Sequence, residues 1–563
     1  MYIDTVPNRK SPPAILLRES YRDSGKVKKR TLANLSKLPK EIIELIRQAL
    51  AGPVQWVGES VSGVIFGVLF VLNELARQSG LQRALGPSRL ASLTLFLVLA
   101  RIAHQGSRLS AVRWARDHAV KAVLGLGSFD EEDLYEALDW AAEQQEAIEQ
   151  RLYRDYVKRT GQTPALVLYD VTSSYFEGEH NELAEYGYDR DGKRGKKQIV
   201  IGLLTARDGE PLSVEVFKGN TGDPATIGAQ VGKLAARFQV QEVIFVGDRG
   251  MIKAKGKAQL GQAHFRYITA LTKPQIRKLI KADVMQPDLF DEQVVEVTHG
   301  GKRLVLRCDP ATRRKERHRR DDKLQRLAKR VAERNAFVAQ SPRAKPEAGL
   351  RQLKQWASHY KLSAFVELTL NDRAIELQID EQARQDAALL DGCYCIESDV
   401  SAEHLSTQDV HDRYKDLQAV ERDFRRLKTT FLEVRPIFVR KEPRTRGHVF
   451  IAMLALKVLR LMEQRLGSAF GTTETHPEAE TADSALTALS RLCLQHYTIG
   501  EQEIIGLPRP DARQQHILDA LNVKLIAPES AAFCSQAQQR LPASNAMIFR
   551  WLRYFCRVLT GGR

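Results

Sequence analysis

Apolar and polar residues follow two different periods along the chain. Over residues 40–150 apolar residues recur every three or four positions, which is the spacing of amphipathic helices. Near Gly161 this changes to short apolar and β-branched runs, and residues 161–272 predict strand, strand, strand, helix, strand, helix, strand. A turn at Asp208-Gly209 makes the second and third strands an antiparallel hairpin. The pattern predicts an all-helical N-terminal region followed by a mixed α/β layer.

The segments on either side of this layer have patterns of their own. Residues 1–35 contain two strand-like runs around residues 23–25, which predicts a hairpin with a basic return strand. Residues 273–390 hold two strand-like pieces that bracket a basic helix, so they are typical of an insertion with its own small sheet. The α/β pattern then resumes and continues through a long helical stretch, residues 407–466. An acidic, threonine-rich segment beyond it indicates a flexible linker.

The charge balance favours a polyanionic partner. The net charge is +16, and nucleic acid is the partner that such a charge most often serves, although charge alone does not separate DNA from RNA or anionic lipid. Residues 312–335 are the most basic stretch, with eleven Lys or Arg against four acids. Two interpretations of it stay open: a solvated helix with ion pairs at helical spacing, or a direct phosphate contact.

No segment has the pattern of a membrane anchor or a secretory signal. The longest apolar runs, Val61–Leu75 and Leu90–Ala100, fall short of the roughly 18 residues that a membrane helix needs. Residues 1–20 carry charges throughout and lack an apolar core. We expect a cytoplasmic protein, associated with the nucleoid when bound to DNA, and no membrane partner. The six cysteines lack disulfide or zinc-finger spacing and are expected to be thiols.

Two aspartates follow apolar runs in the predicted α/β layer. Asp170 follows the run ALVLY, and Asp248 lies one residue past the run VIFV. This predicts that each lies at or beyond the carboxyl end of a buried strand, which is the edge where open α/β sheets bind ligands. Taken singly, an Asp that ends a strand and caps a turn is the simpler interpretation.

A third carboxylate, Glu421, lies on a predicted helix with two distinct faces. One face is an apolar stripe that packs on a sheet, made of Leu417, Val420, Phe424, Leu427 and Phe431. The neighbouring face carries a phenol, a carboxylate and two cations: Tyr414, Glu421, Arg425 and Lys428. For this helix alone, a solvent face of salt bridges explains the pattern equally well.

Together, the three carboxylates indicate a metal site. Oxygen ligands from different elements are what Mg²⁺ requires, with phosphate oxygens and water in the remaining positions. Two such ions about 3.5–4 Å apart activate a water or hydroxyl and stabilise the leaving oxygen of a phosphodiester. The surrounding Arg and Lys would hold the nucleic-acid backbone.

The order strand-Asp, hairpin, helix, strand-Asp and distant helix-Glu resembles the ribonuclease H-like core of DDE transposases of bacterial insertion sequences. Glu421 lies in a stretch similar to their Tyr-x2-Arg-x3-Glu-x6-Lys signature: Tyr414, Glu421 and Lys428 match in type and spacing. Leu417 stands at the Arg position, and Arg425 is a candidate for the missing cation. The resemblance extends from about residue 160 to 465 and includes YDVTSSYF, GKKQIVIGLL and VGDRGM.

The resemblance implies an α/β fold, a function and a set of roles. Asp170, Asp248 and Glu421 would be catalytic and hold two Mg²⁺ ions, with Mn²⁺ as a substitute. The expected activity is hydrolysis at the ends of an insertion sequence, followed by attack of the freed 3′-hydroxyl on target DNA. Expected partners are double-stranded DNA, both terminal inverted repeats and target, and a second copy of the chain in the DNA complex.

This resemblance, together with the pattern, predicts six regions along the chain. They are an N-terminal hairpin (1–40), a helical DNA-binding or dimerisation region (41–160), a ribonuclease H-like catalytic domain (161–272 and 391–466), a strand-rich insertion (273–390), a linker (467–485) and a C-terminal helical region (486–563). Further DNA contacts are expected from Tyr414, Arg425 and Lys428 and from a basic loop before an apolar helix, with Arg444, Arg446 and His448. Arg249 either reaches a phosphate or balances Asp248.

Two other functions stay open at this point. A structure-selective nuclease would keep the fold and metals but stop at hydrolysis. A DNA-binding regulator with an inactive core would keep the fold without chemistry. A hairpin intermediate at the cut end is also open, because relatives with an insertion use one.

Overall fold

The computed structural model describes residues 1–525 except 9–11, 24, 39, 52–62, 179, 189, 191, 194, 250, 431, 433, 435–436, 473–475 and 500–501. The chain divides into two compact units. The first comprises Met1–Gln78, Gly106–Glu131 and Leu461–Arg563, and the second comprises Ser79–Gln105 and Glu132–Arg460.

The described secondary structure alternates between the two types along the chain. The strands are β1 (Tyr2–Val6), β2 (Ala14–Asp23), β3 (Lys26–Asn34), β4 (Leu166–Tyr175), β5 (Gln198–Ala206), β6 (Pro211–Lys218), β7 (Ile244–Gly247), β8 (Arg266–Ala270), β9 (Val295–His299), β10 (Lys302–Cys308), β11 (Val366–Asn371), β12 (Ala374–Ile379), β13 (Cys393–Ser398), β14 (Gln495–Ile499) and β15 (Gln502–Gly506). The helices are α1 (Lys40–Ala51), α2 (Gly67–Gln78), α3 (Leu81–Leu85), α4 (Arg89–Ala103), α5 (Arg108–Arg116), α6 (Val120–Leu124), α7 (Glu131–Thr160), α8 (Asp223–Gly232), α9 (Ala254–Gln262), α10 (Lys273–Lys281), α11 (Pro310–Gln340), α12 (Pro346–His359), α13 (Glu381–Ala388), α14 (Thr407–Lys415), α15 (Leu417–Arg425), α16 (Glu442–Phe470), α17 (Ala482–Leu489) and α18 (Ala512–Ala520).

The first unit contains the predicted N-terminal hairpin. β2 and β3 pair antiparallel, and β1 adds a third strand along β2. A second hairpin, β14–β15, lies in the C-terminal region, where only helices were expected. The predicted linker, 467–485, is wrong at both ends, because α16 continues into it and α17 begins within it.

The second unit is built on one mixed sheet of eight strands. Their order is β6-β5-β4-β7-β8-β13-β10-β9, in which β4, β7 and β8 run parallel and the other neighbours pair antiparallel. Counted along the chain, the first five strands of this sheet are β4, β5, β6, β7 and β8. They lie side by side in the order 3-2-1-4-5, and the second, β5, runs antiparallel to both of its neighbours. This is the ribonuclease H-like arrangement, and the predicted mixed α/β class is confirmed.

The expectation that the insertion has its own small sheet holds for only two of its four strands. β10 pairs with β13 over six residues, so β9 and β10 extend the main sheet, and β11–β12 form a separate hairpin. The hairpin packs on α11 and α12 through a small core that includes Leu327, Leu353 and Leu368. Periodicity identifies a strand but not its partner, which is why the sequence missed this pairing.

The two faces of the main sheet carry different helices. Tyr169, Val171 and Phe245 point into a core shared with α7, α8 and α9. α15 packs against β4. Because side chains alternate along a strand, Asp170 points away from the first core and toward the face that carries α15.

The basic stretch of residues 312–335 lies on α11, and three of its four acids form ion pairs. The pairs are Glu316–Lys273, Asp321–Arg384 and Glu333–Lys329, and Asp322 Oδ1 lies 3.7 Å from His318 Nε2. Of these pairs, only Glu333–Lys329 has the helical spacing of the first interpretation, and the phosphate contact stays untested.

In the described part of the chain no single helix is long and apolar enough to cross a membrane. Among the helices of the described residues, one successive pair, α4 and α5, reaches the required length and composition when taken together.

Candidate active site

Asp170 lies in the middle of β4 and not at its end, so the predicted position is wrong. It is the fifth of ten residues, and it is the one partly exposed residue among the first nine. The strand continues because Val171–Tyr175 pair with β5. On the other side β7 stops at Gly247, which pairs with Tyr169. On the β7 side, Tyr169 is the last paired residue of β4, and Asp170 comes next. Asp170 therefore lies where β7 ends, although β4 itself continues.

Asp248 lies where the sequence predicted it, directly after β7 and exposed. Its carbonyl oxygen accepts hydrogen bonds from the Met251 N–H (3.1 Å) and the Thr269 hydroxyl (3.2 Å), which fix the turn. Because Tyr169 and Gly247 are register partners on parallel strands, Asp170 and Asp248 follow at neighbouring positions.

Glu421 is exposed on α15, and the apolar stripe beside it is confirmed for four of its five members. Leu417, Val420, Phe424 and Leu427 are buried, whereas Phe431 lies outside the described residues. The helical stretch predicted over residues 407–466 is divided in the structure: α14 ends at Lys415, α15 follows from Leu417, a π-helical turn covers Arg426–Thr430, and α16 begins at Glu442.

The three carboxylates come from three elements and act on one another electrostatically. Burial is the main cause that raises the pKa of Asp170, to about 7, and the charges of Asp248 and Glu421 raise it further. The backbone N–H of Val171 and the guanidinium of Arg190 oppose the rise. The sheet edge and α15 thus bring like charges together, which costs free energy in the absence of a cation.

Tyr414 links the helical segment to the sheet edge. Its hydroxyl donates a hydrogen bond to Asp248 Oδ1 at 3.1 Å. Burial raises the pKa of the Tyr414 phenol, and the Asp248 charge adds to the rise. The phenol therefore stays protonated at neutral pH, and its hydroxyl donates the hydrogen bond that holds the Asp248 carboxylate.

Three of the predicted DNA contacts lie near these carboxylates. Arg249 and Arg425 are exposed, and Lys428 is half-buried in the π-helical turn. Among the described side chains no ion pair joins Arg249 to Asp248, so the balancing role considered for Arg249 is not seen. Leu417, at the Arg position of the signature, is buried in the apolar stripe.

The other three predicted contacts lie in the first two turns of α16 and not in a loop, which corrects the prediction. Arg444 pairs with Glu132 (2.8 Å) and Asp139 (3.1 Å). Arg446 pairs with Glu215 and Glu442, each at 2.8 Å. His448 is 4% exposed, and its Nε2 lies 3.2 Å from the Val434 carbonyl oxygen. A histidine buried this far does not reach a phosphate in this conformation.

The donor chemistry of the edge fits a hard divalent cation, because Asp170, Asp248 and Glu421 offer carboxylate oxygens and their mutual repulsion would be relieved by positive charge. The described residues contain no group of three or more His, Cys, Asp or Glu close enough to hold an ion. The carboxylates therefore approach one another without forming a complete ligand shell.

The sequence missed two features of this region. Arg190, in the β4–β5 loop, forms an ion pair with Asp223 and acts on Asp170. Asp423 is fully buried and pairs with Arg460 and Arg426. The sequence did contain a signal for Asp423. It lies three residues after Val420 and four residues before Leu427, so helical spacing places it on the same buried face. No pattern distinguished Arg190 from its basic neighbours.

Residues 161–457 match the family "Transposase DDE domain", and residues 3–55 match "IS1634 family transposase, N-terminal domain". The first match covers more than half of the chain, which therefore belongs to the DDE transposases of bacterial insertion sequences. Such proteins are DNA transposases, and their DDE domains generally depend on divalent metal ions.

The comparison with curated proteins finds no match. Among solved structures, the chain is similar to one described as "Cryo-EM structure of piggyBac transposase synaptic complex with hairpin DNA (SNHP)". The identity is 10%, the match covers 75% of this chain and 78% of that chain, and the TM-score is 0.35. The family assignment rests on the two family matches and not on this likeness.

Proposed function

We propose that Asp170, Asp248 and Glu421 are the catalytic carboxylates of this transposase. The observation that carries the proposal is the raised pKa of Asp170, because two of its causes are the charges of the other two carboxylates. A fold does not gain stability from such an arrangement, so a functional reason is the better explanation. The reaction is hydrolysis of a phosphodiester at each end of the element, followed by joining of the 3′-hydroxyl to target DNA.

The same three side chains would hold two Mg²⁺ ions, with Mn²⁺ as a substitute. When bound, the ions supply Lewis-acid activation of the attacking oxygen and stabilise charge on the leaving oxygen. Tyr414 keeps Asp248 in place through its hydrogen bond. Arg249 and Arg425, both exposed near the carboxylates, contact phosphates of double-stranded DNA, and Lys428 contributes a third cation.

The chain acts in the cytoplasm on two kinds of DNA, the terminal inverted repeats of its element and the target. Two ends must be paired before both are joined, so we propose that two copies of the chain assemble in the DNA complex.

Single substitutions at the edge test the site. With Mg²⁺ and a plasmid that carries the DNA flanking the gene, Asp170→Ala and Asp248→Ala should each abolish cutting, with DNA binding kept, because they remove ligands but no phosphate contact. Glu242→Ala is the matched control: Glu242 is an exposed carboxylate just before the opposite end of β7, and cutting should be unchanged. Normal cutting by either aspartate variant would show the assignment to be wrong.

The product separates the transposase from the other two functions. A pre-cut end with a 3′-hydroxyl should be joined to plasmid by a transposase and left unjoined by a nuclease. An inactive regulator would show the same DNA activities in the wild type and in all carboxylate variants.

A further inference from the structure

The β4–β5 loop holds two aromatic rings in solvent beside the sheet edge. Tyr186 and Tyr188 are 64% and 79% exposed, and Tyr188 is the most exposed large apolar side chain in the described part of the chain. An aromatic ring left in water forgoes the free energy of burial. Two such rings, two residues apart, therefore call for an explanation outside the packing of the fold.

The rings are exposed although the backbone beneath them is held. Gln198 exchanges two backbone hydrogen bonds with Glu185, both 3.0 Å long. Its side-chain Nε2 donates to the carbonyl oxygen of Tyr188, also at 3.0 Å. Between the tyrosines, Gly187 passes so close to the Gly219 carbonyl that a Cβ there would collide with it. The loop is thus anchored to β5, and its rings are presented in a fixed place.

Cations accompany these rings and a third tyrosine. The Lys197 ammonium lies 5.9 Å from the centroid of the Tyr186 ring, and the Arg190 guanidinium lies 5.6 Å from that of Tyr188. Lys193 lies 5.7 Å from the centroid of the Tyr175 ring, at the end of β4. Aromatic rings interleaved with Lys and Arg are the composition of surfaces that bind single-stranded nucleic acid, where bases stack on the rings and cations contact the phosphates.

The loop also lies close to the proposed catalytic edge. The Arg190 backbone N–H donates to the Ser173 hydroxyl at 3.4 Å, and its guanidinium pairs with Asp223. Ser173 is three residues beyond Asp170 on β4, about 10 Å along the strand and, because side chains alternate, on the opposite face of the sheet. Arg190 nevertheless acts electrostatically on Asp170, so the loop borders the same part of the strand.

We propose that Tyr186 and Tyr188 form a stacking platform for unpaired bases of a DNA strand next to the cleavage site, with Lys193 and Lys197 on its phosphates. This inference rests on the proposed function, because it takes the bound strand to be the DNA that is cut and joined. Cutting and joining expose unpaired nucleotides. Bases inside a duplex are stacked on each other and present no free face. The platform therefore favours single-stranded over duplex DNA of any sequence.

The test uses the full-length chain in EDTA, so that no cutting occurs, with fluorescence anisotropy of a labelled oligo-dT of about 20 nucleotides, longer than the roughly 4–16 that comparable sites occupy. Tyr186→Ala combined with Tyr188→Ala should weaken binding of the oligo-dT by roughly 10- to 100-fold, given the usual cost of losing a stacked base. Binding of a duplex of equal length should change by less than about threefold, because its contacts are mainly electrostatic.

Two further variants control for folding and for exposed rings in general. Tyr186→Phe combined with Tyr188→Phe keeps both rings and should bind the oligo-dT like the wild type. Phe337→Ala removes a ring that is 51% exposed under Arg334, at the far end of α11, and should also leave binding unchanged. A wild-type chain that does not bind oligo-dT, an unchanged alanine variant, or equal losses for oligo-dT and duplex would each overturn the proposal.

Failure of the platform and failure of the proposed function give different results. If the tyrosine variants bind like the wild type while Asp248→Ala abolishes cutting, only the platform is wrong. If Asp248→Ala cuts normally while the tyrosine variants lose oligo-dT binding, the platform stands and the catalytic assignment fails.

Discussion

Two carboxylates on α15, two residues apart, have opposite surroundings. Glu421 is exposed, and in the described part of the chain no ion pair neutralises it. Asp423 is fully buried, with both of its oxygens 2.7 Å from Arg460 Nη1 and with Arg426 at 3.4 Å. Arg460 also donates to the Asp208 carbonyl oxygen at 2.9 Å.

The comparison separates a carboxylate that the fold uses from one that it leaves available. Burial raises the pKa of Asp423, and the charge of Arg460 is the first of the causes that oppose the rise. At the sheet edge, two of the neighbouring charges act in the opposite direction. The carboxylates of Asp248 and Glu421 add to the rise in the pKa of Asp170. We therefore expect charge without compensation to be a better indicator of the site than charge alone.

The largest expected effect is on chemistry, at Glu421. Glu421→Gln should lower cutting by about 10³-fold or more, because a lost metal ligand removes several kcal/mol of transition-state stabilisation. Thermal unfolding should stay within about 0.5 kcal/mol of the wild type, since exposed substitutions rarely matter more. If Glu421→Gln were destabilised but cut DNA normally, Glu421 would have the structural role that we assign to Asp423.

The next effect is on stability, at Asp423. Asp423→Ala should lower the free energy of unfolding by about 3–5 kcal/mol, because it removes both oxygens that accept hydrogen bonds from Arg460 and leaves the arginines without their partner in a buried place. Urea unfolding followed by circular dichroism measures it. Under conditions where the variant remains folded, its cutting should survive, and loss of cutting without loss of stability would contradict the structural role.

Tyr414→Phe removes one hydrogen bond from Asp248 and keeps the ring. We expect cutting to fall about 10- to 100-fold, as for other groups that orient a metal ligand. Oligonucleotide binding in EDTA should be unchanged. Cutting at the wild-type rate would mean that Asp248 is held without its phenol partner.

Asp170→Asn tests the repulsion at the edge through the pH dependence of stability. The folded pKa of Asp170 is about 7, against an ordinary value of 3.8, so its contribution to stability is present below about pH 4 and is lost as the pH rises through 7. In EDTA the variant should be about 1–3 kcal/mol more stable than the wild type at pH 8 and equal to it near pH 4. Thermal melts at both pH values would measure this, and a pH-independent difference would contradict the shift.

The smallest effect is expected at Arg444, which lies over the Tyr135 ring (4.6 Å) and between two acids. Arg444→Ala should cost about 1 kcal/mol of stability and leave the salt dependence of DNA binding unchanged. If Arg444 contacts a phosphate instead, the slope of log K against log salt should fall by about 0.9.

Much of the fold and of the candidate site was accessible from local pattern. The apolar runs before Asp170 and Asp248 predicted the strands, and the stripe beside Glu421 predicted the packed face of its helix. The pattern failed where distant partners decide the outcome. It placed Asp170 at a strand end because it could not show that β5 continues beside it after β7 has stopped. It also could not show that Arg444 pairs with Glu132 and Asp139, because these acids are remote in sequence.

By itself the sequence determined which side chains are available and the order of the elements that carry them, because hydrophobic period and turn residues act over a few positions. Only the tertiary structure decided which charges are compensated. Strand register brings Asp170 and Asp248 to neighbouring positions, and packing of α15 on β4 adds Glu421, whereas the same packing buries Asp423 against Arg460. Whether a charge finds a partner depends on distances between residues remote in sequence, and those distances exist only in the folded chain.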